Sequence, residues 1–435
     1  MAAQRHIDMR PDAHVRSARP AARLTFAVLL LVLSSCAARP RWHSDESPAG
    51  RDTARLFRPE GALGAPRDPY AGEIAEVPMR VKMRPCCAFG AQLRVRVGPV
   101  PVPLYFFGNM VDRRKLRHHV YDSGSSTFGS RGGAPELLHS EENGLIYSCR
   151  AGFLDVAHIR DNADAALYLI TAVARNLESG GDIPLPSEGA KVHVALQPID
   201  PATLSQEGRW AIAIPLGQWL AFQSSVWHEI VTWFGWSTFT LFPEKVSSFS
   251  PEDLYSDLLG ARIAAAVVSQ RGARDEFAYN RNMDQWLDRS LELVGSVPAK
   301  TAEEAMLSVD GLWWDSTKRI PDVSLVLRRN FDGGPALHPW LVPGSRMGPK
   351  LRAACGENPS PMPIDNPDAI DGIDFDGQAS LVIDLPDELA SREPFRSIGR
   401  RLTQKDFSRI VAFIRDENGK MFGPDADKPD AAEPR

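Results

Sequence analysis

Residues 152–178 read GFLDVAHIRDNADAALYLITAVARNLE, and this stretch has the periodicity of a helix. Apolar residues recur through it at helical spacing, at Val156, Ile159, Ala163, Leu167, Ile170, Val173 and Leu177. A second apolar set, which includes Leu154, Ala165 and Leu169, falls on the opposite face. A helix that is apolar on both faces is buried on both sides. The stretch therefore predicts a helix at the centre of the core.

Further helices and strands are predicted around this helix. The patterns indicate helices over residues 217–236, 251–270, 275–294 and 405–415, and strands over 93–97, 100–107, 191–197, 319–327 and 380–385. The helix over 251–270 begins Ser250-Pro251-Glu252-Asp253, with a capping serine, a proline in the first turn and acidic residues after it. We predict an α+β fold with a central bundle of three to four helices, flanking short β-strands and a small C-terminal strand–helix unit.

Composition sets the limits for the domain organisation. The chain has 435 residues, of which 43% are hydrophobic and 24% charged, so it can bury a large core. The net charge of −5 gives no indication of nucleic-acid binding. We predict six segments: a signal peptide (1–35), a flexible tether (36–75), a main domain carrying the site (76–345), a linker (346–375), a small C-terminal unit (376–420) and a polar tail (421–435).

The N-terminus resembles a bacterial lipoprotein signal. Five arginines precede the short apolar run Leu24–Leu33, and the sequence Leu33-Ser34-Ser35-Cys36 follows it. This pattern predicts cleavage before Cys36 and lipidation of that residue. Because Ala37 is not an aspartate, we expect a lipid-anchored protein of the cell envelope, in the outer membrane and facing the periplasm. An ordinary signal peptide is the alternative, and any protein or cell-wall partner is left open.

The other cysteines suit an oxidising compartment. Cys86, Cys87, Cys149 and Cys355 could form two disulfides. Neighbouring cysteines rarely pair with each other, because a disulfide needs a particular separation and direction of the two side chains. Two connectivities are then expected, each joining one of Cys86 and Cys87 to Cys149 and the other to Cys355.

The polar residues of the predicted central helices suggest a metal site. The string His228-Glu229-Ile230-Val231-Thr232 resembles the zincin signature HExxH, in which two histidines bind zinc and the glutamate activates water. Here Thr232 replaces the second histidine, so the strict signature fails. His158 could supply a second nitrogen ligand, and Glu252 follows the signature at a distance similar to that of the third ligand in some zincins.

These residues predict a catalytic zinc or iron site. We expect His158, His228 and Glu252 to bind the metal, with Asp253 as a substitute ligand and Glu229 as the general base. The supporting residues are expected to be Asp155, Asp161, Thr232 and Asp257. The predicted function is that of a metal-dependent hydrolase acting in the periplasm.

Two other functions are compatible with the sequence. The polar helices could form a structural core in a non-catalytic lipoprotein that binds a partner. Alternatively, Cys149 lies just before the first central helix and His193 lies on a predicted strand, which is the arrangement of thiol hydrolases.

Four motifs carry a resemblance to a known family. They are the stretches PCCAFG (85–90), GFLDVAHIRD (152–161), WHEIVTWFGW (227–236) and FSPEDLY (249–255). Together they resemble the domain-of-unknown-function family 4056 over residues 80–345. The resemblance implies an envelope lipoprotein and no established activity.

Overall fold

The three longest central helices pack directly against one another. The computed structural model describes residues 48, 50–57, 77–79, 83–84, 87–97, 100–107, 109–121, 141–200, 202, 206–237 and 243–429. Its helices are α1 (Gly50–Arg55), α2 (Val156–Asn176), α3 (Gln206–Trp233), α4 (Asp253–Ser269), α5 (Glu276–Leu293), α6 (Ala299–Ser308), α7 (Pro349–Cys355), α8 (Phe375–Gln378), α9 (Asp387–Ala390), α10 (Phe395–Ile398) and α11 (Phe407–Phe422). We refer to α2, α3 and α4 as the three central helices.

Short antiparallel strands surround these helices, so the predicted α+β class is confirmed. The strands are β1 (Leu93–Val97), β2 (Val100–Phe107), β3 (Leu145–Ser148), β4 (Gly152–Asp155), β5 (Gly181–Pro184), β6 (Lys191–Leu196), β7 (Ala336–Leu337), β8 (Ile364–Asp365), β9 (Ala369–Ile370), β10 (Ile373–Asp374), β11 (Ala379–Asp384) and β12 (Arg401–Leu402). The largest sheet has four strands in the order β12-β11-β6-β5.

Two glycines allow the three central helices to approach closely. A Cβ atom on Gly260 of α4 would lie 2.0 Å from the carbonyl oxygen of Ile159 on α2. A Cβ atom on Gly217 of α3 would lie 2.5 Å from the Cα atom of Ile170, also on α2. Both contacts are with backbone, so a side chain at either position would push two helices apart. The glycines therefore set the spacing of the bundle.

The C-terminal part of the chain joins the sheet of the main domain. Strand β11 pairs antiparallel with β6, with Val382 opposite His193, and β12 pairs with the other edge of β11. The predicted linker 346–375 contains α7, β8, β9 and β10. Residues 47–435 form one compact unit.

Two element predictions need correction. Helix α3 begins at Gln206 instead of residue 217 and continues through Pro215. Residues 319–327 do not form a strand; they contain a short 3-10 turn at Val323–Leu325 and isolated bridges to other segments. The turn is stabilised by Asp322, whose side chain accepts hydrogen bonds from the backbone and hydroxyl of Ser324, a local alternative to strand pairing.

The disulfide prediction was wrong in its connectivity. Cys149 pairs with Cys355, 206 residues later in the chain. The end of α7 brings Cys355 to the turn between β3 and β4, with the two Cα atoms 5.1 Å apart. Cys87 lies outside this disulfide, and Cys86 lies outside the described residues.

The N-terminal predictions concern residues that the structure does not describe. The signal peptide, Cys36 and most of the tether lie outside the described ranges. Within those ranges, no helix combines the length and the apolar character needed to cross a membrane.

Candidate metal centre

Each of the three central helices contributes one side chain to a buried cluster. His158 lies on α2, Glu229 on α3 and Asp257 on α4. Each side chain offers one ligand atom, and these atoms lie within 4.8 Å of one another. All three residues are at least 93% buried. An imidazole nitrogen and two carboxylate oxygens at this spacing could bind one metal ion.

The start of α2 is held in place by Asp155. Its carboxylate caps the helix by accepting hydrogen bonds from the backbone N–H groups of Ala157 at 2.7 Å and His158 at 3.4 Å. Its own backbone N–H donates to the hydroxyl of Ser256 on α4 at 3.0 Å. Asp155, predicted as a supporting residue, therefore links the first turns of α2 and α4, from which the ligand atoms project.

His158 and Asp257 form a direct pair between α2 and α4. The imidazole Nδ1 lies 3.0 Å from Asp257 Oδ1, which also accepts a hydrogen bond from the side chain of Asn162. The other oxygen, Asp257 Oδ2, has no hydrogen-bond partner within the part of the chain that the structure describes. A buried carboxylate with one oriented and one unsatisfied oxygen is well placed to bind a cation. Asp257 was predicted only as a supporting residue, and the structure brings it into the cluster itself.

Glu229 is also oriented before any ligand binds. Its Oε2 accepts a hydrogen bond from the backbone N–H of Phe249 at 2.5 Å. Burial raises the pKa of the Glu229 carboxyl, and the nearby His228 and His158 only partly counteract that rise. A positive charge at the cluster would favour its ionised form. The predicted general base is therefore placed as a candidate ligand.

A small pocket, with room for about one water molecule, opens beside the cluster. It is lined by Met83, His158, Asp161, Asn162, Ser224, Ser225, His228 and Asp257. The two serines come from the small-residue face of α3, where a bulky side chain would fill the space. The pocket gives a small polar group access to the candidate metal position.

His228, predicted as a ligand, lines this pocket without belonging to the three-residue cluster. Its Nδ1 lies 3.2 Å from Oε2 of Glu188, in the loop that precedes β6. Its ring faces that of His158 at a centroid distance of 6.3 Å. Sequence reasoning missed Glu188 because it lies 40 residues before His228 and in no recognisable motif.

The structure places the other two predicted ligands near the cluster. Asp253 lies with its Oδ1 3.9 Å from Nε2 of His158 and accepts a hydrogen bond from the backbone N–H of Ser250. Glu252 is 1% exposed, and no described residue forms a hydrogen bond with either of its carboxylate oxygens. Burial and the neighbouring Asp155 carboxylate raise the pKa of Glu252 well above its usual range. Ionisation of Glu252 therefore strongly destabilises the folded protein.

Replacing Glu252 with glutamine should stabilise the metal-free protein increasingly as pH rises. In the folded state Glu252 stays protonated at pH values above the ordinary carboxyl pKa, whereas in the unfolded state it ionises there. The contribution of Glu252 to the free energy of unfolding therefore falls as pH rises. Glutamine does not titrate. The difference in the free energy of unfolding, Glu252→Gln minus wild type, should therefore increase between pH 5 and pH 8. Urea unfolding in the presence of a chelator measures this difference. A difference that does not change with pH would contradict the raised pKa of Glu252.

A second buried network lies behind the pocket wall, and it contains Asp161. Arg84 donates hydrogen bonds to Asp161 at 2.8 Å and Asp164 at 2.9 Å, and it also pairs with Glu141. His119 lies 2.8 Å from Asp164. Burial opposes ionisation of Asp164, but the charges of His119 and Arg84 outweigh it and lower its pKa. Asp161 is thus a structural partner of Arg84 as well as part of the pocket wall.

Two further sequence hypotheses can be assessed at the site. Thr232 is buried on α3, and its hydroxyl has no hydrogen-bond partner among the described residues. The thiol hydrolase alternative is contradicted because Cys149 is oxidised in a disulfide and cannot serve as a nucleophile. His193 lies on β6 with its Nε2 3.9 Å from a carboxylate oxygen of Asp182.

Comparison with known proteins places the chain in a family. A family model described as "Protein of unknown function (DUF4056)" matches residues 74–343. The chain belongs to this family. The match contains all three central helices, His158, Glu229, Asp257 and Glu188. The resemblance stated from the four sequence motifs is confirmed. No curated protein and no solved structure matches the chain.

Proposed function

We propose that this DUF4056 protein is a metal-dependent hydrolase that holds one zinc or iron(II) ion between its three central helices. The proposal rests on the convergence of His158, Glu229 and Asp257, each from a different helix. Two of these residues, His158 and Asp257, also line the pocket. Sites of three protein ligands with an open position are typical of catalytic metals, whereas closed four-ligand sites are typical of structural zinc.

The charge balance of the site supports a bound cation. Glu229, Glu252 and Asp257 are all at least 98% buried. Besides His228 and His158, the buried Arg329 interacts electrostatically with Glu229 and Asp253, and burial lowers the pKa of Arg329 to about 10. Ionising all three carboxylates at this burial would still be costly, and a divalent ion would offset that cost.

The chemistry follows from the open coordination position. When bound, the ion would supply Lewis acidity, which would make a water molecule at the pocket wall a better nucleophile near neutral pH. His158, Glu229 and Asp257 would hold the ion, and the pocket would admit the scissile group of a substrate. Peptides, glycans, esters and phosphoesters are the substrate classes to screen.

Metal binding should stabilise the protein measurably. At a free concentration about 1,000 times Kd, zinc should stabilise the folded state by about 4 kcal/mol, which is a rise in Tm of roughly 5 °C for a chain of this size. Asp257→Asn keeps the shape but removes the charge, so the rise should largely disappear. Differential scanning calorimetry with and without zinc measures the effect.

The control for this experiment is Asp416→Asn, which removes an exposed carboxylate on α11. This variant should retain the full zinc-induced rise. The same three proteins are then screened for metal-dependent hydrolysis. An equal rise in Asp257→Asn would contradict the site, and zinc binding without hydrolysis of any substrate class would favour the non-catalytic, partner-binding function.

We further propose that the protein is anchored in the outer membrane through a lipid on Cys36 and faces the periplasm. The lipobox-like sequence before Cys36 supports this location. The Cys149–Cys355 disulfide also supports it, because disulfides persist in oxidising compartments.

A further inference from the structure

We propose that Glu188 is a positioning residue, which orients His228 as a fourth protein ligand of the same metal ion, in a five-coordinate site that keeps one position open for water. The inference rests on the proposed function, because it assumes that an ion binds beside His158. The inference adds Glu188, which lies outside the three central helices, to the site. It also gives His228, which is not part of the three-residue cluster, the role of a ligand.

The geometry of the Glu188–His228 pair carries the proposal. Both side chains are buried, and Oε2 of Glu188 lies 3.2 Å from Nδ1 of His228. With Nδ1 engaged by the carboxylate, Nε2 is the nitrogen through which the ring would bind an ion. Histidines that bind metals commonly donate a hydrogen bond from the N–H of their other ring nitrogen to a carboxylate, which sets the tautomer and the ring orientation.

A second histidine–carboxylate pair lines the pocket, although its carboxylate is itself a proposed ligand. In this pair, Nδ1 of His158 lies 3.0 Å from Asp257 Oδ1, which leaves Oδ2 to bind the ion. The two histidine rings are arranged edge to face, with centroids 6.3 Å apart and planes at 76°. Two neighbouring imidazoles bound to one zinc place their centroids roughly 5 Å apart, given zinc–nitrogen bonds of about 2.0–2.1 Å. The rings would have to approach by about 1 Å when the ion binds.

The loop that carries Glu188 is fixed against α3. The indole N–H of Trp227 donates to the backbone oxygen of Glu188 at 3.0 Å. The next residue, Gly189, has a φ of +64°, and a Cβ atom there would lie 2.3 Å from the side chain of Val231. Only glycine allows this loop to pack so closely while adopting that conformation. The carboxylate of Glu188 is thereby held against His228 on the same helix as Trp227.

The test is the zinc affinity of Glu188 variants of the full chain. Glu188→Gln should lower the affinity by roughly 10–100-fold, as is typical when the carboxylate partner of a ligand histidine is lost. Glu188→Asp keeps a carboxylate and should recover part of the affinity. His228→Ala should lower it at least as far. Glu178→Gln, at a residue that pairs with Arg209 away from the site, is the control and should leave the affinity unchanged.

A spectroscopic measurement separates ligand orientation from a merely structural role. In protein with ¹⁵N-labelled histidine, zinc should shift the Nε2 resonance of His228, assigned by its loss in His228→Ala. The shift should be weakened in Glu188→Gln. A His228 Nε2 resonance unaffected by zinc overturns the inference even if a Glu188 variant fails to fold.

The outcomes also distinguish this inference from the proposed function. If wild type binds zinc and Asp257→Asn does not, while Glu188→Gln and His228→Ala match wild type, only the role of Glu188 and His228 is overturned. If wild type binds no zinc, the proposed function and this inference both fail.

Discussion

Replacing Arg84 with alanine should destabilise the protein by about 3–5 kcal/mol, because it leaves buried carboxylates without their cation. The guanidinium is 10% exposed and pairs with Glu141, Asp161 and Asp164. It also donates to the backbone oxygen of Val120 at 2.9 Å. Burial opposes the ionisation of Glu141, yet the charge and hydrogen bonds of Arg84 hold its pKa far below the usual range.

The measurement is urea unfolding of wild type, Arg84→Ala and Arg84→Lys at several pH values. Lysine keeps the charge but not the forked geometry of the guanidinium, so Arg84→Lys should lose less stability than Arg84→Ala. Carboxylates with a lowered pKa stabilise the folded state at neutral pH and lose that contribution as pH falls. The difference in the free energy of unfolding between wild type and Arg84→Ala should therefore narrow below about pH 4, near the ordinary pKa values of carboxyl groups. A loss below about 1 kcal/mol at pH 7 would show that these ion pairs do not hold the network together.

Replacing Gly260 with alanine should cost about 3 kcal/mol of stability and also disturb the site. The added Cβ would lie 2.0 Å from the backbone oxygen of Ile159 and 2.7 Å from its carbonyl carbon. Backbone atoms cannot move aside by changing rotamer, so α2 and α4 must separate. The expected loss of stability is at the upper end of the usual cost of overpacking. Ile159 follows His158, and Gly260 lies one turn after Asp257. The separation should therefore lengthen the His158–Asp257 contact and weaken zinc binding.

Gly419→Ala is the matched control for this substitution. Gly419 lies within α11, and a Cβ atom there would have no neighbour within 4 Å. Alanine should stabilise this helix by up to about 1 kcal/mol, so the two changes should have opposite signs. Urea unfolding and zinc titration of both variants provide the comparison. A Gly260→Ala protein as stable as wild type would mean that α2 and α4 are not in close contact.

The elements with strong periodicity were predictable from the sequence. The apolar spacing located α2 within residues 152–178, and the alternation of residues 191–197 identified β6. The burial of α2 on both faces followed from its two apolar sets. The ends of α3 were less predictable, because Pro215 normally interrupts a helix and here lies inside one.

The identity of the clustered residues was only partly predictable. The resemblance to HExxH drew attention to Glu229, and the position of His158 on a buried helix drew attention to that residue. Whether Glu252 or Asp257 joins the cluster depends on how α4 is rotated about its axis relative to α2. That rotation is set by the close contact of Gly260 with the backbone of Ile159. No local pattern contains this information.

Contacts between distant parts of the chain were the least predictable. Arg84 reaches Asp161 across 77 residues, and the disulfide joins residues that are 206 apart. Each partner has many alternatives of the same type in the sequence. Only the packed fold determines which of them meet, so Arg84, Glu188 and the cysteine pairing became visible in the structure.

Metal analysis of the purified protein and of His158→Ala decides whether the proposed site exists. We expect about one zinc or iron ion per chain in wild type, or its uptake on addition, and the loss of that ion in a folded His158→Ala protein. A wild-type protein that neither contains nor takes up a metal ion would contradict the account. Retention of the ion by His158→Ala with unchanged affinity would contradict it equally.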